Sequence, residues 1–176
     1  MPVSDQFAAS RAAFARPGGG AHWSLLLWEP RTPPRSSDAA ASDAAAAGGA
    51  FHHFDSARGT NAAAARAVAA KLVAVLTGGG AGSAAEGTPA ATVTECACPQ
   101  QDNGHDCGAF ALGCAEALGG EEKRAESQKG AAGSRRARHE AAVARHFAEH
   151  GGPDFAPRLR RRVAADVRAL ASAVEG

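Results

Sequence analysis

The feature that most restricts this chain is where its bulky apolar side chains fall. Alanine and glycine dominate the sequence, and the large residues gather at Trp23 to Trp28, Phe51 to Phe54 and Phe110 to Leu118. Alanine buries little apolar area, so a core able to offset chain-ordering entropy has to form where those three stretches meet. The length of 176 residues suits one domain. The small-residue remainder leaves fewer residues than that to pack.

His22-Trp23-Ser24-Leu25-Leu26-Leu27-Trp28 is almost continuously apolar, the pattern of a strand covered on both faces, and Pro30 stops it. Phe51-His52-His53-Phe54-Asp55 reads as a second strand, Met1 to Asp5 as the end of an extended segment, and Thr92 to Cys98 as a short strand closed by Pro99. From Asn61, the spacing of Ala65, Val68, Ala69, Leu72, Val75 and Leu76 predicts one helical face up to Gly78. Another helix is predicted from Cys107, with Asp106 as its N-cap, an apolar stripe of Phe110, Ala111, Cys114 and Leu118, and a stop at Gly119. Ala137 to His150 and Pro157 to Val174 read as amphipathic helices. Between these elements lie a Pro/Gly turn at Pro17 to Gly20, a disordered loop over 31–50, and linkers at Gly78 to Gly87 and Glu121 to Gly133.

The formal charge is +1, which gives no reason to expect nucleic acid, an anionic membrane or an acidic substrate as partner. Arginines from Arg135 to Arg162 make the C-terminal third basic, as a solvated helix face would. No apolar run has the length of a membrane span. The four cysteines, Cys96, Cys98, Cys107 and Cys114, sit within one short stretch, and nothing upstream resembles a signal peptide. A reducing cytoplasm or nucleus is therefore the expected location.

A thiol is a strong nucleophile only as thiolate, and a helix N-terminus beside an imidazolium stabilises that charge. Cys107 stands where the first of these effects operates. His22 opens one strand and Asp55 closes another; if the two strands pair, the carboxylate can orient the imidazole as base. Gln101 precedes Cys107 in the loop entering the helix, where its amide can join the Cys107 N–H in an oxyanion hole. Each residue alone also has an ordinary reading: a buried small thiol, a structural histidine, a turn-forming aspartate. A zinc site from the four cysteines and His105 lacks the paired two-residue spacing of common zinc structures. His52 and His53 are expected as strand residues, not ligands.

Taken together, His22-Trp23-Ser24, Phe54-Asp55-Ser56, Pro99-Gln100-Gln101, Asn103-Gly104 and Asp106-Cys107-Gly108 resemble the ubiquitin-like-protein-specific cysteine proteases, which process SUMO and Nedd-type modifiers. Met1-Pro2-Val3-Ser4-Asp5 and His53-Phe54-Asp55-Ser56 with Arg58-Gly59, Asn61 and Lys71-Leu72 resemble the deneddylase branch most. The resemblance implies an α+β, papain-like cysteine protease fold with a central mixed sheet flanked by helices. It implies a catalytic core over 1–118 carrying the insertion 31–50, a flexible linker over 119–136 and a helical segment over 137–176. It also implies that the family's N-terminal strands, helices and second tunnel tryptophan are missing here.

The implied activity is thiol-dependent cleavage after the C-terminal Gly-Gly of a ubiquitin-like modifier, for precursor processing or isopeptide deconjugation. Cys107 is the nucleophile, His22 the base, Asp55 its orienting partner, Gln101 the oxyanion donor, and Trp23 one wall of the tunnel that admits the diglycine. No metal or organic cofactor is implied, and the partners are modifiers and their conjugates, met by a monomer. The alternative is a weak or inactive module that binds a ubiquitin-like protein without cutting it.

Overall fold

The apolar stretch from Trp23 to Trp28 becomes the second strand of the sheet, and the strand period of two explains its layout. The computed structural model of the chain describes residues 1–5, 22–30, 49–76, 91–127 and 134–175. Within them, strands β1 (Pro2–Ser4), β2 (Trp23–Glu29), β3 (Ala50–Phe54) and β4 (Val93–Cys96) form one sheet in sequence order. The β1/β2 and β2/β3 pairs are antiparallel; β3 and β4 are parallel. Helix α1 (Ala62–Leu76) lies in the crossover a parallel pair requires. Helices α2 (Cys107–Ser127), α3 (Arg135–His150) and α4 (Phe155–Glu175) follow. The chain is thus a mixed α+β structure with a four-stranded mixed sheet. The turn at Pro17 to Gly20, positions 31–48 of the loop and the linker from Gly78 lie outside the described residues.

Successive residues of β2 and β3 face opposite sides, and each side has its own core. Leu26 and Phe51 pack with Val3 and with Ala65, Val68, Ala69 and Val73 of α1. Leu25 and Phe54 pack with Cys114, Ala117 and Leu118 of α2 and Val143 of α3. Phe51 and Phe54 are an odd number of residues apart, so one strand supplies an aromatic anchor to each layer. The small side chains of α1 suit this arrangement: alanines at the interface let the helix lie close to the sheet. Val143, outside the three stretches singled out above, is wholly buried in the second core, so α3 belongs to the same packed unit as the sheet.

Gly119 does not end α2, which continues through Gly120 to Ser127. A glycine costs a helix interior about 1 kcal/mol against alanine, too little to stop one that is packed on both sides of it. Glu121, Glu122, Lys123 and Arg124 are strong helix formers, and Arg145 of α3 bonds Glu121 at 2.8 Å. The expected linker is therefore helical over 119–127, and α3 begins at Arg135 behind Ser134, whose hydroxyl accepts from the Ala137 N–H at 3.2 Å. The N-terminal turn of α3 also covers the β4 edge: Glu140 accepts from the Ala97 N–H at 3.0 Å, and Arg136 donates to the Glu95 carbonyl at 3.1 Å.

Between α2, α3 and α4 lies a third cluster, built on Phe110, Phe147 and Phe155. Gly113 of α2 makes room for it. A Cβ there would come within 2.7 Å of Phe155 Cζ and 2.9 Å of Phe147 Cζ, distances no real methyl contact reaches.

Candidate active site

Antiparallel pairing of β2 and β3, with Leu25 opposite Phe54, brings the residue before β2 and the residue after β3 to the same end of the sheet. Those residues are His22 and Asp55. His22 Nε2 lies 2.5 Å from Asp55 Oδ1, and both side chains are buried. The pairing needed for a carboxylate to orient the imidazole is therefore present, and it leaves Nδ1 as the nitrogen available for proton transfer.

The carboxylate is held from the other side by backbone. Asp55 Oδ1 accepts from the Ala57 N–H and Oδ2 from the Asn61 N–H, each at 3.0 Å. Asn61 is fully buried at the start of α1, where its carbonyl accepts the helical bond from Ala65. Its side-chain Nδ2 donates to the Val3 carbonyl at 3.1 Å and Ser24 Oγ at 3.0 Å, and lies 3.4 Å from the His22 carbonyl. One asparagine thus joins β1, β2, the Asp55 turn and the helix. The sequence marked it as a helix start, and the N-cap preference of asparagine was the available signal; its role in positioning the pair was not legible there. His53, also fully buried, extends this network from Ser24 Oγ (2.8 Å) to Glu95 (2.8 Å).

The loop into α2 is tied to the same end. Gln100 Nε2 donates to the Asp55 carbonyl at 3.0 Å, and the Gln101 N–H donates to the Ser56 carbonyl at 2.9 Å. Cys107 then opens α2, buried. The helix runs along the sheet so that Leu118 lies by Leu25 and Leu27 while Cys114 shares the Leu25/Phe54 cluster. Cys107 lies two turns back along the helix from Cys114, at the end fed by the loop that is bonded to the Asp55 and Ser56 carbonyls. Cys107 makes no hydrogen bond to His22 or Gln101 among the described residues.

Gln101 is engaged elsewhere. Its Oε1 accepts from Ser56 Oγ at 2.7 Å and its Nε2 donates to the Asn103 carbonyl at 2.6 Å, leaving one amide hydrogen for any oxyanion role. Asn103 organises the turn, accepting from the His105 and Asp106 N–H groups at 3.0 Å. Trp23 is exposed at the start of β2, opposite Ser4.

Asp106 occupies the N-cap position, its carbonyl accepting from Phe110 at 3.0 Å. Its carboxylate accepts from Asn103 Nδ2 at 2.8 Å and Arg160 of α4 at 2.5 Å. Burial alone would raise the Asp106 pKa, but the bonds from Asn103 and Arg160 outweigh it, and the group lies below its ordinary value.

The remaining thiols separate. Cys96 Sγ lies 3.7 Å from His52 Nδ1, and burial first, then Glu140, pushes its thiol up to about 12. Cys98 and Cys114 form a thiol pair: the hydrogen bond lowers Cys98, the acceptor, while the same bond and burial raise Cys114. Among the described residues, the four cysteines and His105 are not gathered into one set of ligand atoms. A groove of about 890 Å³ runs between the 97–106 loop and α3 and α4, lined in part by Cys98, Asn103, Asp106, Phe110 and Phe147. His22, Asp55, Gln101 and Cys107 do not line it, so it lies beside the candidate site and not in it.

No family model matches the chain, and no curated protein does.

Proposed function

We propose that this chain is a papain-like thiol protease that cleaves after the C-terminal diglycine of a ubiquitin-like modifier, Nedd-type before SUMO. The observation that carries the reading is the buried 2.5 Å pair of His22 and Asp55, with the loop leading to Cys107 bonded to the Asp55 and Ser56 carbonyls. The residues that resemble the protease family supply the substrate class.

On this reading His22 takes the Cys107 proton, and the thiolate, stabilised by the N-terminal N–H groups of α2, attacks the carbonyl carbon of the last glycine. The oxyanion is met by the Cys107 N–H and the free hydrogen of the Gln101 amide. Collapse breaks the C–N bond, the imidazolium hands its proton to the leaving amine, and a thioester remains. His22 then deprotonates water, which attacks the thioester and returns the thiol with the modifier's carboxylate. Asp55 keeps the imidazole in the tautomer these steps require. Trp23, exposed next to His22, supplies an apolar wall for a segment without side chains.

A second reading, a module that binds a modifier without cutting it, is favoured by two observations: Cys107 and His22 are not hydrogen-bonded, and the Gln101 amide is partly occupied by Asn103. Nedd-type and SUMO modifiers bearing a C-terminal electrophile separate the two. Covalent capture that is lost in Cys107→Ala supports the protease; binding without capture, unchanged in that variant, supports the module. Neither capture nor binding would sink both.

A further inference from the structure

We propose that Glu29, His52 and His139 form a binding site for a divalent transition-metal ion of the zinc class, clamping α3 to the sheet. The three side chains come from β2, β3 and α3 and meet on the sheet face opposite α1, at the far end of β2 from His22. Leu25, Leu27 and Glu29 share that face; His52 stands opposite Leu27, so Glu29 is its diagonal neighbour, within reach of a long side chain. Helix α3 lays His139 over the two.

The spacing suits a metal better than it suits the bonds present. His52 Nε2 lies 3.3 Å from Glu29 Oε2, and His139 Nε2 lies 3.9 Å from Glu29 Oε1, with one ligand atom of each residue within 4.8 Å of the others. Tetrahedral bonds of about 2.0–2.1 Å put ligand atoms about 3.3–3.4 Å apart, so the His52/Glu29 edge already fits, while His139 faces the other carboxylate oxygen and closes on the ion by a small side-chain movement. The His139 contact is too long for a hydrogen bond, and its Nδ1 is buried without a partner. His139 is half-buried, and its Nε2, outside the buried unpaired atoms, is the nitrogen open to a cation.

The surroundings favour the metal-binding form. A metal on His52 Nε2 places that ring's proton on Nδ1, where Cys96 Sγ stands 3.7 Å away to accept it, an outer-shell partner that fixes the ring. Two imidazoles and a carboxylate with a fourth position for water match zinc-class ligation. The opposing charge is Arg135, whose guanidinium lies 3.0 Å from Glu29 Oε1. It is half exposed and would have to give way to a cation there, and Arg138, next to His139 in the chain, adds a second positive charge.

The test uses the full chain stripped of metal by chelator, titrated with Zn2+ by calorimetry and with Co2+ by visible absorption. One ion per chain is expected, with affinity at least tenfold weaker in Glu29→Gln and in His139→Ala, and several-fold tighter in Arg135→Gln. The Co2+ spectrum should lack thiolate charge transfer, and Zn2+ should raise the melting temperature of the wild type but not of His139→Ala. Circular dichroism shows whether each variant is folded. Absence of binding overturns the proposal, as do thiolate bands in the Co2+ spectrum or equal affinity in folded Glu29→Gln and His139→Ala.

Discussion

Arg160, near the start of α4, places its guanidinium 2.5 Å from the carboxylate of Asp106, the residue immediately before the candidate nucleophile Cys107. The same guanidinium donates to the His105 carbonyl at 2.9 Å. The last helix thus shapes the electrostatics at the start of α2: it neutralises a carboxylate that would otherwise oppose a thiolate one residue on. Arg160→Gln should slow alkylation of Cys107 at neutral pH by about three- to tenfold with the fold intact. Rates by mass spectrometry that match the wild type would remove α4 from the account.

The Asp106 carboxyl also links stability to acid. Its folded pKa lies below the ordinary value of 3.8, so it adds stability that is fully present above that value and is lost as pH falls through the depressed one. Asp106→Asn should be less stable than wild type near neutrality, and the gap in urea midpoints should close below about pH 4. A gap that widens on acidification would contradict the sign.

Asp55→Asn keeps the shape of the turn but exchanges an acceptor for an amide that cannot hold the imidazole in the same tautomer. Capture of a modifier electrophile should slow by about a hundredfold or more. Because Asp55 also accepts the Ala57 and Asn61 N–H groups, a loss of melting temperature should accompany it. Unimpaired capture would displace Asp55 from its proposed role.

The thiols should label in a set order. With a pKa of about 12, Cys96 is ionised at about one part in ten thousand at pH 8. Cys98, lowered by the bond it accepts from Cys114, should react with iodoacetamide well before either of those two. Peptide mapping over a time course reads the order directly. Cys98→Ser should leave the Cys96 rate as it is.

Gly113→Ala would be mildly stabilising in an isolated helix, by about 1 kcal/mol. Here the new methyl would meet Phe155 and Phe147 at under 3 Å, so net destabilisation of about 1–3 kcal/mol is expected. The corresponding changes at Gly119 and Gly120, where a Cβ meets nothing within 4 Å, should be neutral or stabilising. Denaturant melts of the three variants give the comparison.

What the sequence determined by itself is local. The near-continuous apolar run announced β2 as a strand buried on both faces, the Phe51 to Asp55 run announced β3, and the small-residue period announced α1, because side-chain alternation and helical spacing are properties of a few neighbouring residues. It also put His22 and Asp55 at strand ends and Cys107 at a helix start. Only the tertiary structure decided that the two strands pair in the register that joins His22 to Asp55, since register depends on which faces are covered. It decided that Gly119 and Gly120 lie within a helix, because contacts from α3 outweigh a weak intrinsic preference. It brought Asn61 onto Val3 and Ser24, Arg160 onto Asp106, and His139 over Glu29 and His52. Each of those contacts joins residues far apart in sequence through packing, and no local pattern encodes such a meeting.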